Sequence, residues 1–323
     1  MPTRRQTLIA LAGSAVAAAS PVFGQSSGWP SRTVRLLVGF PAGSTPDMTA
    51  RALGDGLAKV LGQPVVVENR PGASGNIATD QVAKATDDHT LGVVINGNLT
   101  SSKQLYSNLP YDPARDFSFL SLLTVAPLVL VAGPNAPTGK AFFDAARKDG
   151  ARWNYGSVGV GSVGHLGAEW MKQQAGDFSA VHVPFKGNPD IVAALANGDI
   201  QFALVPPGIA LPQARAGRVT LIGLTGGRSP LAPDVPTLAD AGLRDFNFEV
   251  WNALIGPARL SRTAQDRLAR EVPTLLRDPA IRQRLFNAGW QPIGTSPDGL
   301  KRRVEAEARI LGNVIQSRGI RLQ

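Results

Sequence analysis

The feature that most constrains the fold of this chain is an alternation of short apolar, β-branched runs with segments of helical spacing. Thr33 to Gly39 is rich in valine and leucine, as a strand requires, and the next segment repeats apolar residues at Ala50, Leu53 and Leu57 on one helix face. The rhythm continues in further predicted elements, which are strands at 65–67 and 90–95 and helices at 76–84 and 101–105. This order predicts an α/β fold with mostly parallel sheets covered by helices.

A second alternating set begins after the apolar run Pro127–Val131. Its predicted elements are helices at 140–147, 165–174 and 189–197 and strands at 153–155, 180–183 and 200–204. Phe248–Ile255 is another apolar run, which can carry the chain back to the first set. Because 323 residues exceed what one core usually holds, we predict two lobes with two hinge-crossing strands. The first lobe is placed at residues 25–130 with 252–323 and the second at 131–251.

The C-terminal region is predicted to be helical. One apolar stripe is formed by Leu268, Val272, Leu275 and Leu276, and another by Leu300, Val304, Leu311 and Ile315. Ser296-Pro297 suits the start of the last helix, since serine caps the first turn and proline fits the first helical position.

Residues 1–24 have the pattern of an export signal. Arg4-Arg5 precedes a short apolar stretch from Leu8 to Ala19, and Val22-Phe23-Gly24 ends in a small residue, as cleavage sites do. A membrane anchor is the alternative, but the stretch is far shorter than the roughly 20 apolar residues that span a bilayer. The two arginines also resemble a twin-arginine signal, although Thr7 is smaller than the residue usual there, so the export route stays open. We expect an exported, soluble protein.

Composition and charge exclude several chemistries. The chain has no cysteine, which excludes disulfides, thiolate metal sites, a cysteine nucleophile and a lipid-anchored cysteine. The net charge is +9, and removal of residues 1–24, with two arginines and no acid, leaves 9 − 2 = +7. The basic residues are scattered, and Lys301-Arg302-Arg303 shares its helix with Glu305 and Glu307, which is typical of a solvated face rather than a nucleic-acid site. The charge favours a small anionic ligand.

Two loops rich in small residues each join a predicted strand to a predicted helix. Such loops present unpaired N–H groups and about half a positive charge at a helix N-terminus, where carboxylates bind. The predicted ligand contacts are Pro41, Ala42, Gly43, Ser44, Thr45 and Asp47 in the first loop and Ser157, Val158, Gly159, Val160, Gly161 and Ser162 in the second. Asp47 is also the expected N-cap of its helix, and tight turns alone are the alternative explanation of the glycines.

Enzyme chemistries find less support in the sequence. Gly159-x-Gly161-x-x-Gly164 fits the dinucleotide fingerprint, but the strand at 180–183 ends in Pro184-Phe185-Lys186-Gly187, without the acid that holds the ribose. No Gly-x-Ser-x-Gly elbow surrounds Ser157 or Ser162, and no pair of histidines has metal spacing. We expect no cofactor, no metal and no catalytic activity.

Two further residues are candidate ligand contacts near the second loop. His165 starts the helix behind this loop, where it either lines the pocket or supports the structure. Lys186 lies in a loop that faces either the cleft or solvent.

Several stretches together resemble a single family. They are Phe40-Pro41-Ala42-Gly43, the run from Gly62 to Asn76, Leu109-Pro110-Tyr111-Asp112-Pro113, Tyr155-Gly156-Ser157 through His165-Leu166, Val183-Pro184-Phe185-Lys186-Gly187, and Arg228-Ser229-Pro230 with Asp234-Val235-Pro236-Thr237. In this order the chain resembles the Bug-type periplasmic substrate-binding proteins of tripartite tricarboxylate transporters, over essentially the whole mature length.

The resemblance implies a two-lobed periplasmic binding protein of the Venus flytrap kind, type 2-like. It implies that the loops at 41–47 and 156–165 grip a ligand carboxylate, and that two integral-membrane transporter subunits are partners. Some relatives act as sensors, which leaves a signalling partner as an alternative. We expect a monomer that does not bind nucleic acid.

Two departures from the family pattern bear on the ligand. Val205 and Pro206, which we also predict as ligand contacts, stand where an acid and a polar residue are usual. Val158, Val160 and Val163 make the second loop less polar. A ligand amino or hydroxyl group would lose its partners there. We therefore expect an aromatic or aliphatic dicarboxylate with an apolar body rather than an amino acid or citrate, with an α/β enzyme acting on a carboxylic acid as the remaining alternative.

Overall fold

A computed structural model describes residues 28–244 and 246–322, which form two α/β lobes. The first lobe begins with β1 (Val34–Val38), α1 (Thr45–Leu61), β2 (Val65–Asn69), α2 (Asn76–Ala83), β3 (Thr90–Ile95), α3 (Asn96–Leu99), α4 (Ser102–Leu105) and β4 (Phe117–Pro127). The predicted apolar face of α1 is buried at Ala50, Leu53 and Leu57.

The chain then builds the second lobe and returns to the first. The second lobe contains β5 (Val129–Ala132), α5 (Lys140–Asp149), β6 (Trp153–Ser157), α6 (Val163–Gln174), β7 (Ala180–Pro184), α7 (Asn188–Asn197), β8 (Phe202–Val205), α8 (Pro207–Arg215) and β9 (Thr220–Leu224). The returning segment contains β10 (Glu249–Pro257), α9 (Arg262–Leu275), α10 (Pro279–Asn287), β11 (Gln291–Pro292) and α11 (Pro297–Arg318).

Each lobe is built around one sheet. The strand order is β11-β4-β10-β3-β1-β2 in the first sheet and β7-β6-β8-β5-β9 in the second. The two-lobed α/β fold is therefore confirmed, but the expectation of mostly parallel sheets is wrong. Only β2-β1-β3 and β7-β6-β8 are parallel, because the crossing strands and their neighbours add antiparallel pairs to both sheets.

Alternation along the strands explains how the first sheet is covered on both faces. Leu36 of β1 packs in the same cluster as Leu53 of α1, whereas its neighbour Leu37 packs with Val82 of α2 and Leu300 of α11. Successive strand side chains point to opposite faces, so one apolar strand serves two cores. The helix that follows each strand is thereby held against the sheet.

Helix α11 packs against both lobes. Its start is capped as predicted: the Ser296 hydroxyl accepts the Gly299 N–H, with Pro297 at the first helical position. Leu300 lies in a cluster of the first lobe, and Leu311 lies in the main core of the second. The predicted apolar stripe is thus divided between two cores.

Two crossing points join the lobes, and Thr225 links them. The chain leaves the first sheet at Pro127 and enters the second at Val129, and it re-enters the first at Glu249. The Leu128 N–H donates to Thr225 Oγ1 at 3.0 Å, and the Thr225 hydroxyl donates to the Phe248 carbonyl. Backbone bonds from Thr225 N–H to Leu128 and from Phe248 N–H to Thr225, both 2.9 Å, complete the connection. We call Leu128, Thr225 and Phe248 the hinge.

Some predictions from the sequence are not tested by the structure, and one predicted strand is changed by it. The export signal at 1–24 lies outside the described residues. The lobe limits, 25–130 with 252–323 and 131–251, stay a prediction. The apolar run at 127–131 predicted a single strand, but it is divided between β4 and β5. Within 28–244 and 246–322, none of the helices has the length and apolar character needed to cross a membrane.

Replacing Thr225 by valine should destabilise the protein by about 2 kcal/mol. The buried Leu128 N–H and Phe248 carbonyl would lose their hydroxyl partner while the side chain keeps its shape. Urea unfolding of Thr225→Val and wild type measures the difference. Thr225→Ser keeps the hydroxyl and is the matched control, expected to lose less than Thr225→Val; equal stability of wild type and Thr225→Val would contradict this account of the hinge.

Candidate ligand-binding cleft

A cleft of about 630 Å³ lies between the two lobes. The first lobe lines it with the start of α1, the α3–α4 segment, Trp251 of β10 and Trp290 before β11. The second lobe lines it with the β6–α6 loop and the start of α8, and Leu128 of the hinge closes the gap between them. Both predicted loops therefore face one shared space.

Two N–H donors of the first loop bond to acceptors within the loop and its helix. The Ser44 N–H donates to the Pro41 carbonyl at 3.1 Å, and the Gly43 N–H donates to Asp47 Oδ2 at 2.8 Å. The N-cap of α1 is Ser44, so the expectation that Asp47 caps this helix is wrong. Within the described residues, the Ser44 hydroxyl has no partner and the Thr45 N–H has no acceptor. The cleft lining includes both Ser44 and Thr45.

Asp47 holds the first loop from behind rather than facing the cleft. The residue is 1% exposed, and its carboxylate accepts hydrogen bonds from Gly43, Arg51 and Asn69. Burial alone would raise the pKa of Asp47, but these three donors outweigh burial and hold its pKa below the ordinary value. Asp47 therefore stays ionised, and its charge is neutralised by Arg51 away from the cleft.

The second loop ends at a properly capped helix. The Ser162 hydroxyl accepts the His165 N–H at 3.3 Å, which leaves the Val163 and Gly164 N–H groups at the first turn of α6 without acceptors among the described residues. Both residues line the cleft. This helix start is therefore the clearest anion-binding feature of the second lobe.

Gly161 cannot be replaced without strain. Its φ is +76°, in the left-handed region, and a Cβ there would lie 2.7 Å from Leu105 Cδ1 of the first lobe. Its N–H donates to His165 Nδ1 at 3.0 Å. The second loop thus lies directly against α4, and the glycine is required by this close approach.

A pair of stacked histidines supports the second loop. The rings of His165 and His182 have centroids 4.0 Å apart, and His182 Nε2 lies 2.7 Å from Ser157 Oγ. Burial, and then the neighbouring His182, lower the pKa of His165 to about 4. The neutral imidazole is the form that can accept the Gly161 N–H, so the charge state of His165 fixes the loop.

Behind the histidines, charged groups pair in the interior. Tyr155 packs against both rings and donates its hydroxyl to Glu169, which also binds Lys172 at 2.7 Å and Arg318 at 3.1 Å. Arg318 belongs to α11, so this cluster attaches the last helix to the second lobe. None of these charges lines the cleft.

The predicted contact residues fall into two groups. Those that line the cleft are Ser44, Thr45, Val158, Val160, Gly161, Ser162 and Pro206. Those that the structure places outside its lining are Pro41, Ala42, Gly43, Asp47, Ser157, Gly159, His165, Lys186 and Val205. Lys186 is exposed, Val205 is in the apolar core of the second lobe, and Asp47 and His165 act from behind the loops.

Other cleft residues were not predicted from the sequence. Asn96 and Tyr106 follow the end of β3 and α4, Trp251 lies on a crossing strand, and Trp290 lies in the turn before β11. Position after a parallel strand is a signal that could have indicated Asn96. No sequence pattern marks Trp290, because a turn between two short elements has no periodicity.

The start of α8 contributes apolar surface instead of donors. Pro206 is its N-cap and Pro207 its first residue, and neither carries an N–H. Val158, Val160, Leu204 and Ile209 extend the apolar lining of this lobe. Among the described residues that line the cleft, none has a charged side chain. An anion in this cleft would meet peptide N–H groups, hydroxyls and helix dipoles.

The two lobes are joined by crossing strands, and each lobe presents a helix start to the cleft between them, with N–H groups unpaired among the described residues. This arrangement defines the class of solute-binding proteins. The fold is similar to the structure titled "R. palustris Rpa4515 with adipate", with a TM-score of 0.77, 30% identity, and coverage of 91% of this chain and 100% of that one. It is also similar to MatC from Rhodopseudomonas palustris with bound malate, at a TM-score of 0.73, 30% identity, and coverage of 89% and 100%.

The chain belongs to the tripartite tricarboxylate transporter receptor family. Residues 49–320 match the family described as "Tripartite tricarboxylate transporter family receptor". A UPF0065 protein of Bordetella pertussis is 31% identical, with 99% of this chain and 98% of that protein covered, and protein BugT of the same organism is 28% identical over 99% of both. The predicted family is therefore confirmed, and with it a receptor of the substrate-binding class.

Lowering the pH from 7 to 5 should cost the wild-type protein about 2 kcal/mol more of unfolding free energy than a His165→Asn variant. The unfolded histidine binds a proton near its ordinary pKa of 6.5, whereas the folded one binds it near 4, so acid favours the unfolded chain in between. Asparagine offers an oxygen near the Nδ1 position without titrating.

Urea unfolding at pH 7 and pH 5 gives the four free energies required. Retention of the full pH dependence in His165→Asn would show that another group, such as His182, carries it.

Proposed function

We propose that this protein is exported to the periplasm and there captures a small carboxylate with an apolar body for a tripartite tricarboxylate-type transporter. The family is named for receptors of such transporters, whose two integral-membrane subunits would be the partners. Residues 1–24 would be the export signal, and the mature protein would act as a soluble monomer. The chain serves as a binding protein in this proposal rather than as an enzyme.

The observation that carries the proposal is the meeting of two helix starts in a cleft without charged side chains. The first turn of α1 offers the Thr45 N–H and the Ser44 hydroxyl, and the first turn of α6 offers the N–H groups of Val163 and Gly164. These donors belong to opposite lobes, so an anion that binds both favours the closed arrangement. A carboxylate has the charge and the acceptor oxygens for such a site.

The lining favours a ligand with an apolar middle. The first lobe lines the cleft with aromatic residues, among them Phe40 and Tyr106, and the second lobe lines it with aliphatic ones. A ligand ammonium group would find no carboxylate among these residues, which disfavours amino acids. Adipate in the R. palustris relative, with four methylene groups between two carboxylates, has the chemistry that this lining fits. Malate, bound in MatC, is shorter and more polar.

One contact in the second lobe is compatible with a different function, that of a hydrolytic enzyme. Ser157 Oγ lies 2.7 Å from His182 Nε2, the spacing of a nucleophile and its base. However, Ser157 is 1% exposed, and its hydroxyl also contacts the Gly159 carbonyl and Ser162 Oγ within the loop. These contacts favour a supporting role for the pair in the second loop.

Calorimetric titration with adipate, benzoate, malate, citrate and aspartate tests the proposed ligand class. We expect adipate or benzoate to bind more tightly than aspartate or citrate, because apolar surface is buried while no ammonium or extra carboxylate is left unpaired. Tight binding of aspartate or citrate, with none of adipate and benzoate, would contradict the proposal. Loss of uptake in a strain lacking the membrane subunits, with intact ligand binding, would separate transport from sensing.

Val160→Asp should weaken carboxylate binding about ten-fold or more. Val160 is 40% exposed and lines the cleft, so aspartate can be accommodated without disturbing the core while it repels the anion. Val181→Asp is the matched control, since Val181 is an exposed valine of the same lobe outside the cleft lining. Calorimetry on both variants is the measurement, and equal affinities would remove the second loop from the site.

A further inference from the structure

Two accessible hydroxyl groups, those of Ser74 and Tyr106, lie together in the first-lobe wall of the cleft. Both residues line the cleft, Ser74 is exposed, and Tyr106 is half-buried. The Tyr106 hydroxyl donates to Ser74 Oγ at 3.5 Å, and this bond is itself exposed. It is longer than the usual hydroxyl bond of about 2.5–3.0 Å, so both groups keep the capacity to bond more closely to a ligand in the cleft.

Ser74 is held in a turn that few side chains tolerate. Four successive residues, 72–75, have positive φ, and two of them, Ala73 at +46° and Ser74 at +54°, are not glycine. The left-handed region is strained for a residue with a Cβ. Such strain persists only where the surroundings hold the backbone, and it is concentrated at functional sites. The turn therefore gives the Ser74 side chain a defined place in the cleft wall.

A pair of buried asparagines holds this turn from behind. Asn98 Nδ2 donates to the Ser74 carbonyl at 3.0 Å and to Asn76 Oδ1 at 2.8 Å. The Tyr111 hydroxyl lies 2.7 Å from the same Asn76 oxygen. Asn76 and Asn98 are 3% and 1% exposed, and neither they nor Tyr111 line the cleft. These residues support the turn, and Ser74 is the member of the network that a ligand can reach.

Tyr106 is held by the C-terminal end of the chain. It forms a parallel bridge with Leu322, whose N–H donates to the Leu105 carbonyl at 2.9 Å. Leu105 is also the residue against which Gly161 of the second loop lies. Tyr106 is therefore carried by the first lobe at a point next to the second loop.

We propose that the Ser74 and Tyr106 hydroxyls form a specificity subsite that donates hydrogen bonds to a second carboxylate of the ligand. This inference rests on the proposed function, in which the start of α6 on the opposite lobe binds the first carboxylate. Both hydroxyls can rotate their protons toward one anion, and bonds to an ionised acceptor are stronger than the long bond that they replace. The cleft then selects dicarboxylates over monocarboxylates of the same length.

Adipate and hexanoate provide the matched test, because hexanoate replaces one carboxylate of adipate with a methyl group. Tyr106→Phe keeps the ring and removes the hydroxyl, and Ser74→Gly removes the other hydroxyl while suiting the left-handed backbone. We expect each variant to raise the adipate Kd about ten-fold and the hexanoate Kd less than about two-fold, measured by calorimetry. Ser107→Gly, at an exposed serine outside the cleft lining, should change neither Kd.

Urea unfolding separates this role from a structural one. Ser74→Gly should unfold at no lower urea concentration than the wild-type protein, although it binds adipate more weakly. Equal weakening of both acids, or unchanged adipate binding in both variants, overturns the subsite while leaving carboxylate binding intact. Failure of the wild-type protein to bind either acid overturns the proposed function together with this inference.

Discussion

The cleft depends on the hydrogen bonds that hold the two crossing segments together at Thr225. The chain passes from the first sheet to the second at Leu128. It leaves the second sheet at Thr225 and enters the first sheet again after Phe248. All three residues are buried. Backbone and hydroxyl bonds connect these residues, so the lobes are attached at the hinge, and α11 attaches them a second time. These attachments bring the starts of α1 and α6 to one shared cleft. The fold thereby turns two ordinary helix starts into one site.

The site recognises charge without using charged side chains. Asp47 is paired with Arg51 behind the first loop, and Glu169 is paired with Lys172 and Arg318 behind the second. These ion pairs lie behind the loops, and the side chains that line the cleft are uncharged. Peptide donors do not titrate, so the first-turn donors keep their character over the whole pH range in which a carboxylic acid is ionised. The histidine pair acts on the shape of the second loop instead.

Local patterns in the sequence were sufficient for most of the strand–helix alternation, the two lobes and the two loops, because strand and helix periodicity and helix-start residues are short-range signals. They missed β4, α8 and β9. Contacts between distant segments were not predictable. Asp47 was expected to cap α1, but it is the third residue of the helix, and its carboxylate is bound from behind by Asn69 of the distant strand β2. His165 and His182 come from different elements and stack only in the fold. Trp290 reaches the cleft because β11 pairs with β4, which no local pattern records.

The uncharged lining has a consequence for how a bound anion leaves. No formal cation in the described lining neutralises the ligand, so its release breaks hydrogen bonds but separates no ion pair. On the proposed function, the receiving membrane subunits need to present only a lysine or arginine near the opened cleft to offer the anion a more favourable electrostatic environment than the receptor does.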